Sequence, residues 1–244
     1  MLNAFFWGAI ASGSLLAGAI LAYTLKPGPR VNAFVLAVGA GLLLGSVAYD
    51  LLEDALKSAA LPLVTLWFFL GSAVFILGDW LLDRSGGQGR KNPEGAQADG
   101  SSKAIVMGSV LDGIPESFVL GLTILQGSVS LPLLVAISLS NLPEGMSSSS
   151  GLRQSGWSFS RVAGMWSLVV LVSACAAAAG YLMLDPGSGL IGPAGKSVAQ
   201  AFAAGALLTM LTDTMLPEAF RVERRYTGGL VTLGFAASLG LAAL

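Results

Sequence analysis

Apolar positions along this chain come in long blocks bounded by charges or Pro/Gly clusters, without the alternation of a half-buried strand or the one-faced stripe of a soluble helix. Counting the blocks predicts eight spans, over residues 2–25, 31–56, 61–83, 103–126, 130–153, 159–184, 195–220 and 227–244. A helix needs about 20 residues to cross about 30 Å of hydrocarbon, and only the last block is short of that. The expected fold class is all-α: a polytopic membrane protein of eight transmembrane helices, folded as one transmembrane domain over 1–244. The one long connection, 84–102, is polar, Gly/Ser-rich and aperiodic, which predicts a flexible loop. The short turn Gln126-Gly127-Ser128 predicts that spans four and five are antiparallel neighbours.

Composition agrees with this pattern. Hydrophobic residues make up 54% of the chain and charged ones 11%, with a mean hydropathy of +0.75, too apolar for an ordinary soluble domain. A net charge of −1 gives no reason to expect nucleic acid, the single cysteine, Cys175, excludes an internal disulfide, and there is no histidine. No Lys or Arg precedes Lys26, and Leu2 to Leu25 is long enough to span, so it reads as the first helix and not as a cleaved signal.

Basic residues set the expected orientation. Lys26, Arg30, Arg84, Arg90, Lys91, Lys103, Arg153, Arg161, Arg221, Arg224 and Arg225 fall on one side of an eight-span chain, and only Lys57 and Lys196 on the other. Basic loops stay in the cytoplasm, so both termini are expected outside, in a cell (inner) membrane, with the 84–102 loop cytoplasmic. An internal repeat accompanies this. Ala40-Gly41-Leu42-Leu43-Leu44 leading to Leu52-Glu53-Asp54-Ala55 aligns, at an offset of 164, with Ala204-Gly205-Ala206-Leu207-Leu208 leading to Leu216-Pro217-Glu218-Ala219. Span two thus corresponds to span seven in the opposite direction, which predicts inverted repeats, spans 1–3 and 6–8, around spans 4–5.

The candidate chemistry lies in spans four and five. Leu111-Asp112-Gly113-Ile114-Pro115-Glu116 is echoed 28 residues later by Leu139-Ser140-Asn141-Leu142-Pro143-Glu144. Asp112 and Glu116 share one helical face, as do Ser140 and Glu144. Facing antiparallel helices would bring three carboxylates to one point, at a cost of about 8–10 kcal/mol if nothing compensated them. No basic residue is available at that depth, which leaves protonation, water or a bound cation, and a divalent cation satisfies two acids at once. Pro115 and Pro143 free the carbonyls of Leu111 and Leu139, and broken helices with acids beside the break are a common way to build a midplane cation site. Asp50, Glu53 and Asp54 at one end, with Asp213 and Glu218 toward the other and Thr214 on the face of Glu218, extend the acids into a ladder across the membrane.

These residues resemble the ZIP (ZRT/IRT-like) family of divalent metal transporters, bacterial branch. The resemblance implies eight spans with both termini outside, a variable cytoplasmic loop after span three, and a transport site made by paired His-Asn-x-Pro-Glu-Gly type motifs. Carried over by position, Asp112 and Ser140 stand where the family has histidine and Gly113 where it has asparagine, while Glu116, Asn141, Pro143, Glu144 and Gly145 match. Leu216-Pro217-Glu218-Ala219 looks like the span-seven motif, and Leu52-Glu53-Asp54-Ala55 like its span-two counterpart without the proline. Span six has no acid between Arg161 and Asp185, where some members complete a second metal. Together with the ladder of acids, the expected metal set is Asp112, Glu116, Ser140, Asn141, Glu144, Asp54, Asp213 and Glu218.

The expected function is a divalent metal cation transporter, with no enzymatic activity and no cofactor beyond the metal it carries as substrate. Family analogy points to zinc, whereas an all-oxygen donor set suits harder ions such as manganese, with iron between them. The partners expected are the ion and the lipid bilayer, and a homodimer is compatible with the sequence. The alternative is a ZIP-like homologue without transport activity, acting as a regulatory or assembly partner. Tyr49-Asp50 and Gly78-Asp79 resemble part of an intramembrane aspartyl protease pattern, but Ile76 stands where that pattern has its first glycine.

Overall fold

The computed structural model describes residues 1–84, 101–124, 129–184 and 193–243, and among them every regular element is helical. Eight helices follow in order: α1 Leu2–Thr24, α2 Pro29–Ser58, α3 Leu61–Leu82, α4 Ser101–Ile124, α5 Leu131–Gln154, α6 Phe159–Leu184, α7 and α8 Thr227–Ala242. α7 runs Pro193–Met210, then a π-helical turn Leu211–Met215, then Leu216–Val222, and α2 contains a π-helical stretch Val47–Leu52. Prolines stand in the first turn of α2, α3 and α5, where a missing N–H costs nothing and the ring presets φ. The expected loop at 84–102 and the turn Gln126-Gly127-Ser128 lie, apart from Arg84, Ser101 and Ser102, outside the described residues.

Among the described residues, α1, α2, α3, α6 and α7 are long and apolar enough to cross a membrane. α4 and α5 have the length, 24 residues each, but carry the acids and serines that lower their hydropathy. α3 shows the other extreme, with Leu66, Phe69, Val74 and Leu77 all exposed, a surface suited to lipid.

Contacts give each helix its direction. α1 runs parallel to α5, α2 to α8, α3 to α7 and α4 to α6. In every one of these pairs a glycine on each helix lies against the backbone three residues before the partner's glycine. Gly18 meets Leu142 and Gly145 meets Leu15; Gly41 meets Val231 and Gly234 meets Val38; Gly71 meets Phe202 and Gly205 meets Phe68; Gly121 meets Ala177 and Gly180 meets Phe118. A Cβ at any of these glycines would collide with the facing carbonyl. With no hydrophobic drive between helices in lipid, such close approach supplies the packing, and it brings Cα–H groups against carbonyl oxygens.

Antiparallel contacts join the pairs. α1 and α6 meet at Gly8 with Ala177 and at Tyr23 with Phe159, while α2 and α5 meet at Asn32 with Ser147, Gly39 with Ser140 and Asp50 with Ser130. Arg30 at the start of α2 reaches Glu223 just past α7, at 3.8 Å. Directions therefore alternate through all eight helices, which gathers Arg30, Arg153, Arg161 and Arg221 at one end and Lys57 at the other.

The packing repeats itself under exchange of α1–α3 with α6–α8 and of α4 with α5: α1 on α5 becomes α6 on α4, and α2 on α8 becomes α7 on α3. The offset of 164 found in the sequence also relates the first residues of the two π segments, Val47 and Leu211, and the two close-packing glycines Gly41 and Gly205. One departure matters for the site: α2 packs closely on α5, whereas α7 touches α4 less, and the space beside Pro115 is an apolar pocket lined by Phe118, Phe202 and Ala203 among others.

Candidate metal site

α4 and α5 are continuous helices through Pro115 and Pro143, so the predicted breaks beside the acids are absent. A proline removes one backbone bond without unwinding its flanks, and here the neighbouring helix closes over the freed group. A Cβ on Gly39 of α2 would stand 3.2 Å from the Leu139 carbonyl oxygen. The irregular backbone lies instead in the π segments of α2 and α7.

α4 and α5 touch as expected but over a small area, each having its main packing elsewhere. What joins them is a reciprocal pair of hydrogen bonds. Ser140 Oγ of α5 donates to Glu116 Oε1 of α4 at 3.2 Å, sharing its proton with the Ile137 carbonyl at 3.0 Å. Ser109 Oγ of α4 donates to Glu144 Oε1 of α5 at 2.5 Å. Each glutamate is thus held by a serine from the facing helix, and the pairing 109 with 144 and 116 with 140 shows the helices antiparallel.

Between these bonds lies a small cavity lined by Asp112, Glu116, Ser140, Glu144 and Glu218 on its polar side and by Leu36, Met210 and Met215 on its apolar side. Its open room is small and suits one water or one bare ion. Asp112 and Glu116 are 3% and 2% exposed, so both carboxyl groups are buried, and among the described residues no Lys or Arg lines the cavity. The tight convergence of three carboxylates is not seen: among the described residues no three Asp, Glu, His or Cys side chains stand together as a ready metal-holding group. The two glutamates are held instead from opposite helices, by the hydroxyls of Ser109 and Ser140.

The structure therefore gathers Asp112, Glu116, Ser140, Glu144 and Glu218, and leaves three expected residues outside. Asn141 is buried beside Ser140 but does not line the cavity. Asp54 lies at the Lys57 end of α2, 3.2 Å from the Lys57 ammonium. Asp213 is exposed on the π-turn of α7.

That turn explains what an α-helical reading missed. In a regular helix Met210 and Met215 lie well apart around the axis, and Thr214 shares the face of Glu218. The wider π-turn brings residues five apart onto one side, so Met210, Met215 and Glu218 face the cavity together. Thr214 turns back to bond the Met210 carbonyl at 2.6 Å. Ser109 was also missed, although its spacing of three and seven from Asp112 and Glu116 puts it on their face. Gly113, at the family's asparagine position, has Ser173 of α6 against it, 3.0 Å from where a Cβ would stand. The serine run after Glu144 mostly packs: Ser149 accepts from Trp166 Nε1 at 2.8 Å and Ser147 from Asn32 Nδ2 at 3.1 Å.

A model of the ZIP zinc transporter family matches residues 88–242, more than half of the chain. The match contains α4 to α8, and so every cavity-lining side chain except Leu36. No curated protein matches the chain.

Proposed function

The chain belongs to the ZIP zinc transporter family, and from that premise we propose that the cavity between α4, α5 and α7 holds a divalent metal ion on its way across the membrane into the cytoplasm. The protein is a multi-pass membrane protein of a metal-transport family. The observation that carries the site is that Asp112, Glu116, Glu144 and Glu218 line one cavity, with no basic residue among its described lining. Four acids at membrane depth would cost on the order of 10 kcal/mol without compensation, and a divalent cation offsets two of them at once.

Binding is then a local rearrangement. The ion displaces water and takes carboxylate and hydroxyl oxygens in exchange for part of its hydration shell, while the glutamates stay held by their serine partners. Met210 and Met215 change the expected selectivity. A site of oxygens alone would favour hard ions, but two thioethers on the wall favour the borderline class, with zinc first and iron and manganese competing. Orientation follows from the arginine-rich end lying in the cytoplasm. Asp54 then stands at the outer mouth, and Glu218 on the cytoplasmic side of the cavity. The retained carboxylates support a transporter over a relative that has lost transport.

Uptake into proteoliposomes across Zn²⁺, Fe²⁺, Mn²⁺ and Mg²⁺ tests this. Saturable uptake by the native chain is expected, and its survival in the combined Glu116→Ala, Glu144→Ala variant would sink the proposal.

A further inference from the structure

We propose that Ser109 is a positioning residue of the metal site, acting through Glu144, and that it sets the affinity for a divalent cation from outside the paired motifs. The inference rests on the metal-site reading above.

Ser109 is 4% exposed, on the face of α4 that carries Asp112 and Glu116, and its hydroxyl donates to Glu144 Oε1 across the α4·α5 contact. Glu144 is only half-buried and hangs on a flexible side chain. A carboxylate that must meet an incoming ion loses rotamer freedom on binding, and a fixed donor removes that freedom beforehand. Ser140 does the same for Glu116 from the opposite helix. Ser140 has a matching place in the family motif, whereas Ser109 lies three residues before the motif begins, so the second half of the arrangement appears only in the packed structure. Hydrogen-bond partners of metal ligands typically contribute 10- to 100-fold in affinity.

Calorimetric titration of the purified full chain with Zn²⁺ and Mn²⁺, beside liposome uptake of the same ions, tests it. Ser109→Ala is expected to raise both Kd and the uptake KM by 10- to 100-fold with Vmax changed less than threefold, and Ser109→Thr, which keeps the hydroxyl, to restore both. Glu144→Ala, run in parallel, reports on the site itself. If Glu144→Ala abolishes binding while Ser109→Ala matches the native chain, the positioning role is overturned and the site stands. If Ser109→Ala and Ser109→Thr lose affinity equally, the effect is one of packing and the role is again overturned. A native chain that binds neither ion overturns both.

Discussion

Gly39 of α2 stands against Leu139 of α5, close enough that the carbonyl released by Pro143 faces a bare Cα. The contact closes α2 over the freed carbonyl, next to Ser140. Its counterpart in the other repeat, Ala203, lines an open apolar pocket beside Pro115 instead.

Gly39→Val should therefore force α2 away from α5 and cost about 1–3 kcal/mol by overpacking. Gly13→Val is the control, because nothing lies within 4 Å of that position. Thermal unfolding in detergent should separate the two, with Gly39→Val lower by several degrees. Equal transitions would remove the contact from the account of the site.

Exchanging Met210 and Met215 for leucine tests the thioethers. The swap nearly conserves volume and should cost less than about 1.5 kcal/mol of stability. If the sulfurs favour zinc, the ratio of zinc to manganese uptake should fall about tenfold, equivalent to about 1.4 kcal/mol. An unchanged ratio assigns the two side chains to the wall alone.

At the Lys57 end, Ser130 Oγ both caps α5, accepting from the Leu133 N–H at 3.3 Å, and donates to Asp50 Oδ2 at 2.7 Å. Ser130→Ala loses a cap worth about 1 kcal/mol together with a bond to a carboxylate worth about 1.5–3 kcal/mol, whereas Asp50→Asn keeps a weaker version of the second. Amide exchange over 131–136 should accelerate more in Ser130→Ala than in Asp50→Asn. The reverse order would show that the carboxylate, and not the cap, holds this end of α5.

Topology is open to a direct chemical assay. On a Cys175→Ser background, a membrane-impermeant maleimide should label Lys57→Cys in intact cells and Arg224→Cys only after permeabilisation, since both positions are exposed at opposite ends. The opposite pattern would overturn the proposed orientation, with Asp54 at the outer mouth.

Much of this was legible in the residues alone, because block length and charge spacing are local properties. They gave the eight helices and their alternation, and the 164-residue offset reappears in the pairing of Gly41 with Gly205. The acids of α4 and α5 line one cavity, but without the convergence on one point that their spacing implied. Three things were not legible, each for a physical reason. The π-turn at Leu211–Met215 depends on packing around α7 and has no compositional mark, so Met210 and Met215 were overlooked in favour of Thr214. Ser109 carries no motif and gains meaning only from Glu144 across the gap. The closure over Leu139 requires knowing which helix passes Pro143, and spans two and five are far apart in sequence.

The interlocked glycines also bear on how this protein can change shape. Where two backbones touch with no side chain between them, sliding one past the other would drive carbonyls into Cα atoms along the whole seam. The glycine contacts thus tie the eight helices into four struts separated by seams, and across one of these seams α1 also packs closely on α6, joining two struts. The polar cavity sits on such seams, between α4, α5 and α7, so the groups that would hold the ion belong to three different struts.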